Sequence, residues 1–116
     1  MSLQVEVFAV EVKKWVMVGQ IKPGERNGSL SHNERGKRVI YLFGCESDSC
    51  DCIIVESMEG IDVYDSVERV VLNPDPNKWR IVKMLSPGES HELTVKSDTD
   101  SEPRTIRFTN VHPMAS

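Results

Sequence analysis

The first residues of the chain alternate apolar and polar side chains. In LQVEVFAVEV the odd-numbered positions from 3 to 9 are apolar and share one face, and Phe8 and Val10 add apolar surface to the other face. A period of two is typical of a β-strand, because successive side chains point to opposite sides of the sheet. The segment KWVMVGQI, residues 14–21, continues as a second strand. The chain is therefore predicted to begin with two strands.

Two apolar runs follow in the middle of the chain. RVIYLFG, residues 38–44, and CIIVESM, residues 52–58, are rich in β-branched side chains, which favour extended backbone. They predict a hairpin at the centre of a sheet. The preceding segment KPGERNGSLSHNERGK, residues 22–37, contains Pro-Gly, Asn-Gly and Arg-Gly pairs, and these predict a long loop.

The remaining segments predict further short strands separated by turns. IDVYDSVERVVLN, residues 61–73, gives one or two strands, with a short helix as the competing interpretation. KWRIVKML, HELTVKS and RTIRFTNV predict three more, and SPGES predicts a type II turn centred on Pro87 and Gly88. In RTIRFTNV, Ile106 and Phe108 point inward and Arg107 points outward.

These elements predict an all-β fold with little or no helix. Seven to nine short strands with turns between them are typical of a single antiparallel β-sandwich or a partly open β-barrel. A chain of 116 residues has the length of one domain, so residues 1–116 are expected to share one core.

Composition and charge remove several classes of function. No apolar run approaches the roughly 20 residues of a membrane span, so no membrane span is expected. The net charge is −4, and the acidic residues concentrate in residues 45–75, which argues against a nucleic acid partner. The first residues do not resemble a secretory signal, and a cytoplasmic location is the resulting expectation.

All three cysteines lie in GCESDSCDC, residues 44–52. Cys45 and Cys50 could face each other across the mouth of a hairpin and form a disulfide, but a reducing compartment favours free thiols. The spacing matches no common zinc site, and the acidic surroundings disfavour a thiolate nucleophile. No nucleophile elbow or phosphate-binding glycine loop is present. The sequence therefore predicts a protein that is not an enzyme and has no metal or cofactor.

The acidic segments raise one alternative function. ESDSCD, EGIDVYD and SDTDSE, at residues 46–51, 59–65 and 97–102, could supply oxygen ligands if they met at one end of a sandwich. Clustered carboxylates of this kind bind calcium. The alternative is a C2-like sandwich whose acidic loops bind calcium or another cation.

The aromatic residues support the preferred interpretation. Trp15 and Trp79 each follow a lysine near a predicted strand end, where one edge of the indole could stay in contact with water. Together with Phe8 they are the candidate peptide-binding residues, because flat aromatic surface suits an extended or proline-rich segment. The expected function is a non-enzymatic protein- or peptide-interaction module, and self-association through an exposed strand edge would make it a homo-oligomer.

VEVFAVEVKKWVMVG, residues 5–19, resembles the start of EVH1/WH1 domains, members of the pleckstrin-homology-like superfold. In that family an aromatic residue is followed seven positions later by tryptophan, as Phe8 and Trp15 are here. NKWRI and TIRFTN resemble its later tryptophan strand and its last strand. The resemblance implies a seven-stranded barrel that binds proline-rich ligands through an aromatic cluster containing Phe8 and Trp15.

Two departures from that family bear on the topology. The third aromatic of the cluster would fall near Pro76, and the helix that closes the barrel in the family has no counterpart in this sequence. Without such a helix the barrel end would expose apolar surface. The sandwich is therefore the preferred topology, with peptide or protein binding as a function that either topology supports.

Overall fold

The fold is all-β. A computed structural model describes residues 3–21, 28–34, 37–45, 51–58, 75–96 and 102–111, with backbone alone for 28–34, 37 and 38. These ranges form eight strands and no helix: β1 (Leu3–Ala9), β2 (Lys14–Ile21), β3 (Gly28–Glu34), β4 (Lys37–Cys45), β5 (Cys52–Ser57), β6 (Trp79–Leu85), β7 (Ser90–Val95) and β8 (Arg104–Asn110). With no helix in the described ranges, none is found that could cross a membrane.

The strands form two antiparallel sheets. The first has the order β2-β1-β8-β7 and the second has the order β3-β4-β5-β6. Apolar side chains from both sheets meet in one core, where Phe43 of β4 and Phe108 of β8 pack with ring centroids 4.7 Å apart. The all-β prediction is confirmed, and the two separate sheets make the fold a sandwich rather than a closed barrel.

The first sheet follows the alternation of its sequence. Leu3 and Val5 of β1 are buried in the core, as are Ile106 and Phe108 of β8, while the residues between them face the other way. The predicted inward direction of Ile106 and Phe108 is therefore confirmed. Because only one face of this sheet is packed on the core, its second face is available for contact with other molecules.

The second sheet is buried on both of its faces along the two central strands. Leu42, Ile53, Val55 and Trp79 form a second apolar cluster on the face opposite the main core. In β5 the run CIIV is continuously buried, because successive residues point into the two different clusters. The predicted central hairpin of residues 38–44 and 52–58 is confirmed as β4 and β5.

A buried asparagine joins the two sheets. Asn110, at the end of β8, has no exposed surface and donates from Nδ2 to the carbonyl oxygen of Leu85, 2.9 Å away in β6. The turn between β6 and β7, residues 86–89, has the predicted type II geometry. Glu89 N donates to Ser86 O, and Gly88 has a φ of 86°. A positive φ at the third position of the turn is the signature of type II, and glycine adopts it without strain.

One predicted loop is wrong. Residues 22–37 were expected to be irregular because of their turn pairs, whereas Gly28–Glu34 form β3 and pair in register with β4. The hydrogen-bonding edge of β4 satisfies the backbone of β3, and this pairing outweighs the low strand propensity of Gly, Ser and Asn. The segment 61–73, predicted as short strands or a helix, lies outside the described residues.

Candidate functional site

An aromatic pair lies on the outer face of the first sheet. Phe8 of β1 and Trp15 of β2 are direct cross-strand partners, and their rings meet edge to face with centroids 5.3 Å apart. Both side chains are half-buried. Edge-to-face packing places the positive edge of one ring against the negative face of the other. The pair is therefore preorganised and still presents aromatic surface.

A β-bulge in β2 sets the direction of Trp15. Val5 pairs with Gly19 and Glu6 with Met17, which leaves Val18 as the extra residue. Because a bulge changes which face successive residues occupy, Ile21 packs toward the core while Trp15 and Met17 face outward. The bulge therefore allows one short strand to contribute to both the core and the outer surface.

An arginine completes the cluster. The guanidinium of Arg107, in β8, lies over the ring of Trp15 at 4.2 Å from its centroid, reaching across β1. Glu6, the cross-strand partner of Arg107, accepts a hydrogen bond from Nε at 3.1 Å, and the same oxygen, Oε1, forms an ion pair with Nη2 at 3.0 Å. Glu6 thus fixes the guanidinium and balances its charge. We call Glu6, Phe8, Trp15 and Arg107 the outer cluster.

The neighbouring surface of β2 is unusually apolar. Val16, Met17 and Val18 are all substantially exposed, with Val18 at 61%. Among the described strands β2 pairs with β1 alone, so it forms an edge of the first sheet. Exposed apolar side chains on an edge strand are a common feature of surfaces that take up another chain.

A cleft opens beside Phe8. It has a volume of about 360 Å³ and lies between the end of β1 with the following turn and the start of β8. Val7, Phe8 and Val10 line one side, and Pro103 and Thr105 line the other. The lining is mixed in polarity, since Glu11, Glu102 and Arg104 also border it. Phe8 therefore belongs both to the outer cluster and to the wall of this cleft.

Trp79 does not join this surface. It lies at the start of β6 in the second sheet, is 3% exposed, and packs in the cluster of Leu42, Ile53 and Val55. Its indole Nε1 is buried and has no acceptor within the described parts of the chain. The expected water-exposed edge of Trp79 is therefore wrong, because the second sheet is packed on both faces. Of the three candidate residues, the structure brings together Phe8 and Trp15.

Two of the three cysteines face each other across the β4–β5 hairpin. Cys45 at the end of β4 and Cys52 at the start of β5 are direct cross-strand partners, both are buried, and both are free thiols. Cys50, the residue considered as a possible disulfide partner of Cys45, lies outside the described residues. The hydrogen bond from Cys52 lowers the pKa of Cys45, against the opposing effect of burial. The same hydrogen bond, together with burial, raises the pKa of Cys52.

No candidate metal site is found among the described residues. Within the ranges that the structure describes, no group of three or more His, Cys, Asp or Glu side chains could hold a metal ion. Most of the three acidic segments proposed for calcium lies outside those ranges, and the calcium alternative stays a prediction. Pro76, near which the predicted family resemblance would put a third aromatic residue, lies exposed in the turn before β6.

Two members of the outer cluster were not identified from the sequence. The alternation of RTIRFTNV placed Arg107 outward, and that of LQVEV placed Glu6 outward, but 101 positions separate them. Their contact depends on the pairing of β1 with β8, and no local pattern reveals which strands are neighbours.

Comparison of the chain with protein-family models, curated proteins and solved structures finds no significant match. The resemblance of residues 5–19 to EVH1/WH1 domains therefore stays a prediction.

Proposed function

We propose that this protein is a non-enzymatic interaction module that binds an extended, proline-rich segment of another protein on the outer face of the first sheet. The observation that carries the proposal is the outer cluster itself, in which the rings of Phe8 and Trp15 have centroids 5.3 Å apart and the guanidinium of Arg107 lies over Trp15. Proline rings pack well on flat aromatic surfaces, and the polyproline II conformation loses little entropy on binding.

Charge balance supports a ligand that is itself uncharged at the contact. The ion pair between Glu6 and Arg107 leaves the outer cluster with no net charge, although it holds an arginine. A free arginine would favour carboxylate or phosphate ligands through bidentate hydrogen bonds. Here Nε donates a hydrogen bond to Glu6, Nη2 forms the ion pair with the same carboxylate, and the guanidinium lies over the face of Trp15. Apolar and proline side chains suit such a surface.

The proposed binding surface extends beyond the rings of Phe8 and Trp15. Met17 lies on the same outer face, next to Trp15 on β2, and is 55% exposed. The cleft of about 360 Å³ continues from Phe8 toward Pro103. An extended segment could therefore cross the aromatic pair and place one side chain in the cleft, which is the usual division between affinity and specificity in peptide recognition.

The test is a titration of the full chain with a peptide of consecutive prolines, using a glycine-serine peptide of equal length as the negative control. Trp15→Ala is expected to weaken binding by about 2 kcal/mol or more, roughly 30-fold in Kd, because aromatic anchors dominate such interfaces. Thr94→Ala is the matched control, since Thr94 is exposed on the far strand of the same sheet, next to Thr105.

Three results would contradict the proposal. The first is equal binding of the proline and glycine-serine peptides, and the second is equal loss of binding in Trp15→Ala and Thr94→Ala. The third is self-association in sedimentation that Trp15→Ala abolishes, because the same surface would then bind a second copy of the chain instead of a proline-rich partner.

A further inference from the structure

Two cysteines face each other where β4 ends and β5 begins, and they have no part in the proposed binding function. Cys45 and Cys52 are direct partners in the register of two antiparallel strands. Direct partners in such a pair have Cα atoms about 4.5–5.5 Å apart, which lies inside the range of about 4.4–6.8 Å found in disulfides. The backbone already holds the two residues at bonding separation.

Both sulfur atoms lie on the same side of the sheet. Cys45 and Cys52 belong to the main core between the sheets, with exposures of 7% and 1%. They are close enough for a hydrogen bond between the thiols, and that bond lowers the pKa of Cys45. A thiol with a lowered pKa next to a second thiol is the arrangement of an attacking cysteine and its resolving partner.

We propose that Cys45 and Cys52 are a redox-modification site, at which a small diffusible peroxide converts the two thiols into a reversible cross-strand disulfide. The thiolate of Cys45 attacks one peroxide oxygen, the O–O bond breaks, and the leaving oxygen takes up a proton to become water. Cys45 is then a sulfenic acid. The sulfur of Cys52 attacks the sulfur of Cys45, the S–O bond breaks, and a second water leaves with the proton of Cys52.

The balance is two thiols and one hydrogen peroxide giving one disulfide and two waters. Cys45 is the first sulfur to react with the peroxide because it has the lowered pKa and lies at the end of its strand with slightly more exposure than Cys52. Because the product ties the two central strands of the second sheet, it restricts the unfolded chain more than the folded one and is expected to raise the melting temperature by several degrees.

The disulfide would also change a contact with the first sheet. The thiol of Cys45 lies 3.7 Å from the carbonyl oxygen of Ile21, at the end of β2, and can donate to it. In the disulfide that donor is gone. Resonances of Ile21 are therefore expected to shift on oxidation, which links the redox state of the second sheet to the strand that carries Trp15.

The test uses Cys50→Ser, which leaves Cys45 and Cys52 as the two cysteines of the folded 116-residue chain. After hydrogen peroxide, intact mass is expected to fall by two hydrogens, and neither thiol is expected to react with maleimide after unfolding. Dithiothreitol is expected to restore both thiols and the original melting temperature. The control Cys50→Ser/Cys52→Ala lacks the resolving thiol, and we expect it to gain oxygen without forming a disulfide.

Two results would overturn the proposal. One is a folded Cys50→Ser protein that keeps two free thiols, or gains oxygen alone, while the same protein forms the disulfide once it is unfolded in urea. The other is peptide mapping of the oxidised three-cysteine chain that finds Cys50 in the bridge.

Discussion

The outer faces of the two sheets differ in both burial and chemistry. On the second sheet Leu42, Val55 and Trp79 are buried opposite the main core, so the central strands have no open face. On the first sheet the corresponding face carries the half-buried pair of Phe8 and Trp15, with the guanidinium of Arg107 over Trp15. Two tryptophans of one small protein thus have opposite roles: one is packed inside, and the other is held at the surface. The contrast shows that a tryptophan of this sandwich keeps exposed surface where its sheet has an open face and loses it where the sheet is packed on both faces.

The largest expected effect comes from removing each indole in turn. Trp79→Ala deletes a fully packed ring and is expected to lower the free energy of unfolding by about 3–5 kcal/mol. Trp15→Ala removes a half-buried ring with one aromatic and one cation–π contact, and we expect a loss of about 1 kcal/mol. Urea denaturation measures both values. Equal losses in the two variants would show that the outer faces do not differ in burial.

Trp79→Phe separates the contribution of the indole N–H group from that of the apolar ring. The buried Nε1 of Trp79 has no acceptor among the described residues, so the polar group that the variant removes makes no hydrogen bond there. The phenyl ring retains most of the apolar contacts. We therefore expect Trp79→Phe to cost clearly less than Trp79→Ala. It also leaves Trp15 as the only tryptophan, which makes this variant useful for fluorescence.

The next effect concerns the junction between the sheets. Asn110→Ala removes a buried amide and leaves the carbonyl of Leu85 without its donor at the end of β6. An unpaired buried polar group costs about 1–3 kcal/mol, which is the expected loss in the free energy of unfolding. Thr109→Ala is the neighbouring control, because Thr109 exchanges a hydrogen bond with Ser90 at an exposed site. A loss in Thr109→Ala that equals the loss in Asn110→Ala would contradict the role of Asn110 as the buried link.

How much of this was visible in the sequence varies from strand to strand. The strict alternation of β1 and β8 predicted both the strands and their buried residues, because one packed face imposes a period of two. The continuous run in β5 predicted a central strand but did not reveal that both faces would be packed. That missing information is why Trp79 was expected to keep a water-exposed edge.

The candidate site depends on pairings that local patterns do not contain. The bulge at Val18 moves Trp15 to the outer face, yet the letters KWVMVGQI fit either direction. Glu6 meets Arg107 because the first and eighth strands are neighbours. The identification of the cysteine pair also depends on the register of β4 and β5. A short connection between the strands is compatible with Cys45 facing either Cys50 or Cys52. Register and strand order are determined by the whole fold.

The smallest stability effect tests the fixed arginine. In the register of the sheet Arg107 has Glu6 on one side and Glu92 on the other, and the structure shows the ion pair with Glu6. Glu6→Gln is expected to lower the free energy of unfolding by about 0.5–1 kcal/mol, because the pair is only partly exposed. Glu92→Gln is the matched control, with an expected change within about 0.5 kcal/mol. A larger loss in the free energy of unfolding for Glu92→Gln than for Glu6→Gln would mean that Glu92, and not Glu6, holds Arg107 in place.

The central claim is that the open face of the first sheet, and no part of the second, meets the ligand. The chain has two tryptophans, so its amide spectrum contains two indole N–H signals that report on the two sheets separately. On titration of the 15N-labelled protein with a peptide of consecutive prolines, we expect a progressive shift of the Trp15 indole signal and an unchanged Trp79 signal. A Trp15 signal that stays fixed, or a Trp79 signal that moves as far, would contradict it.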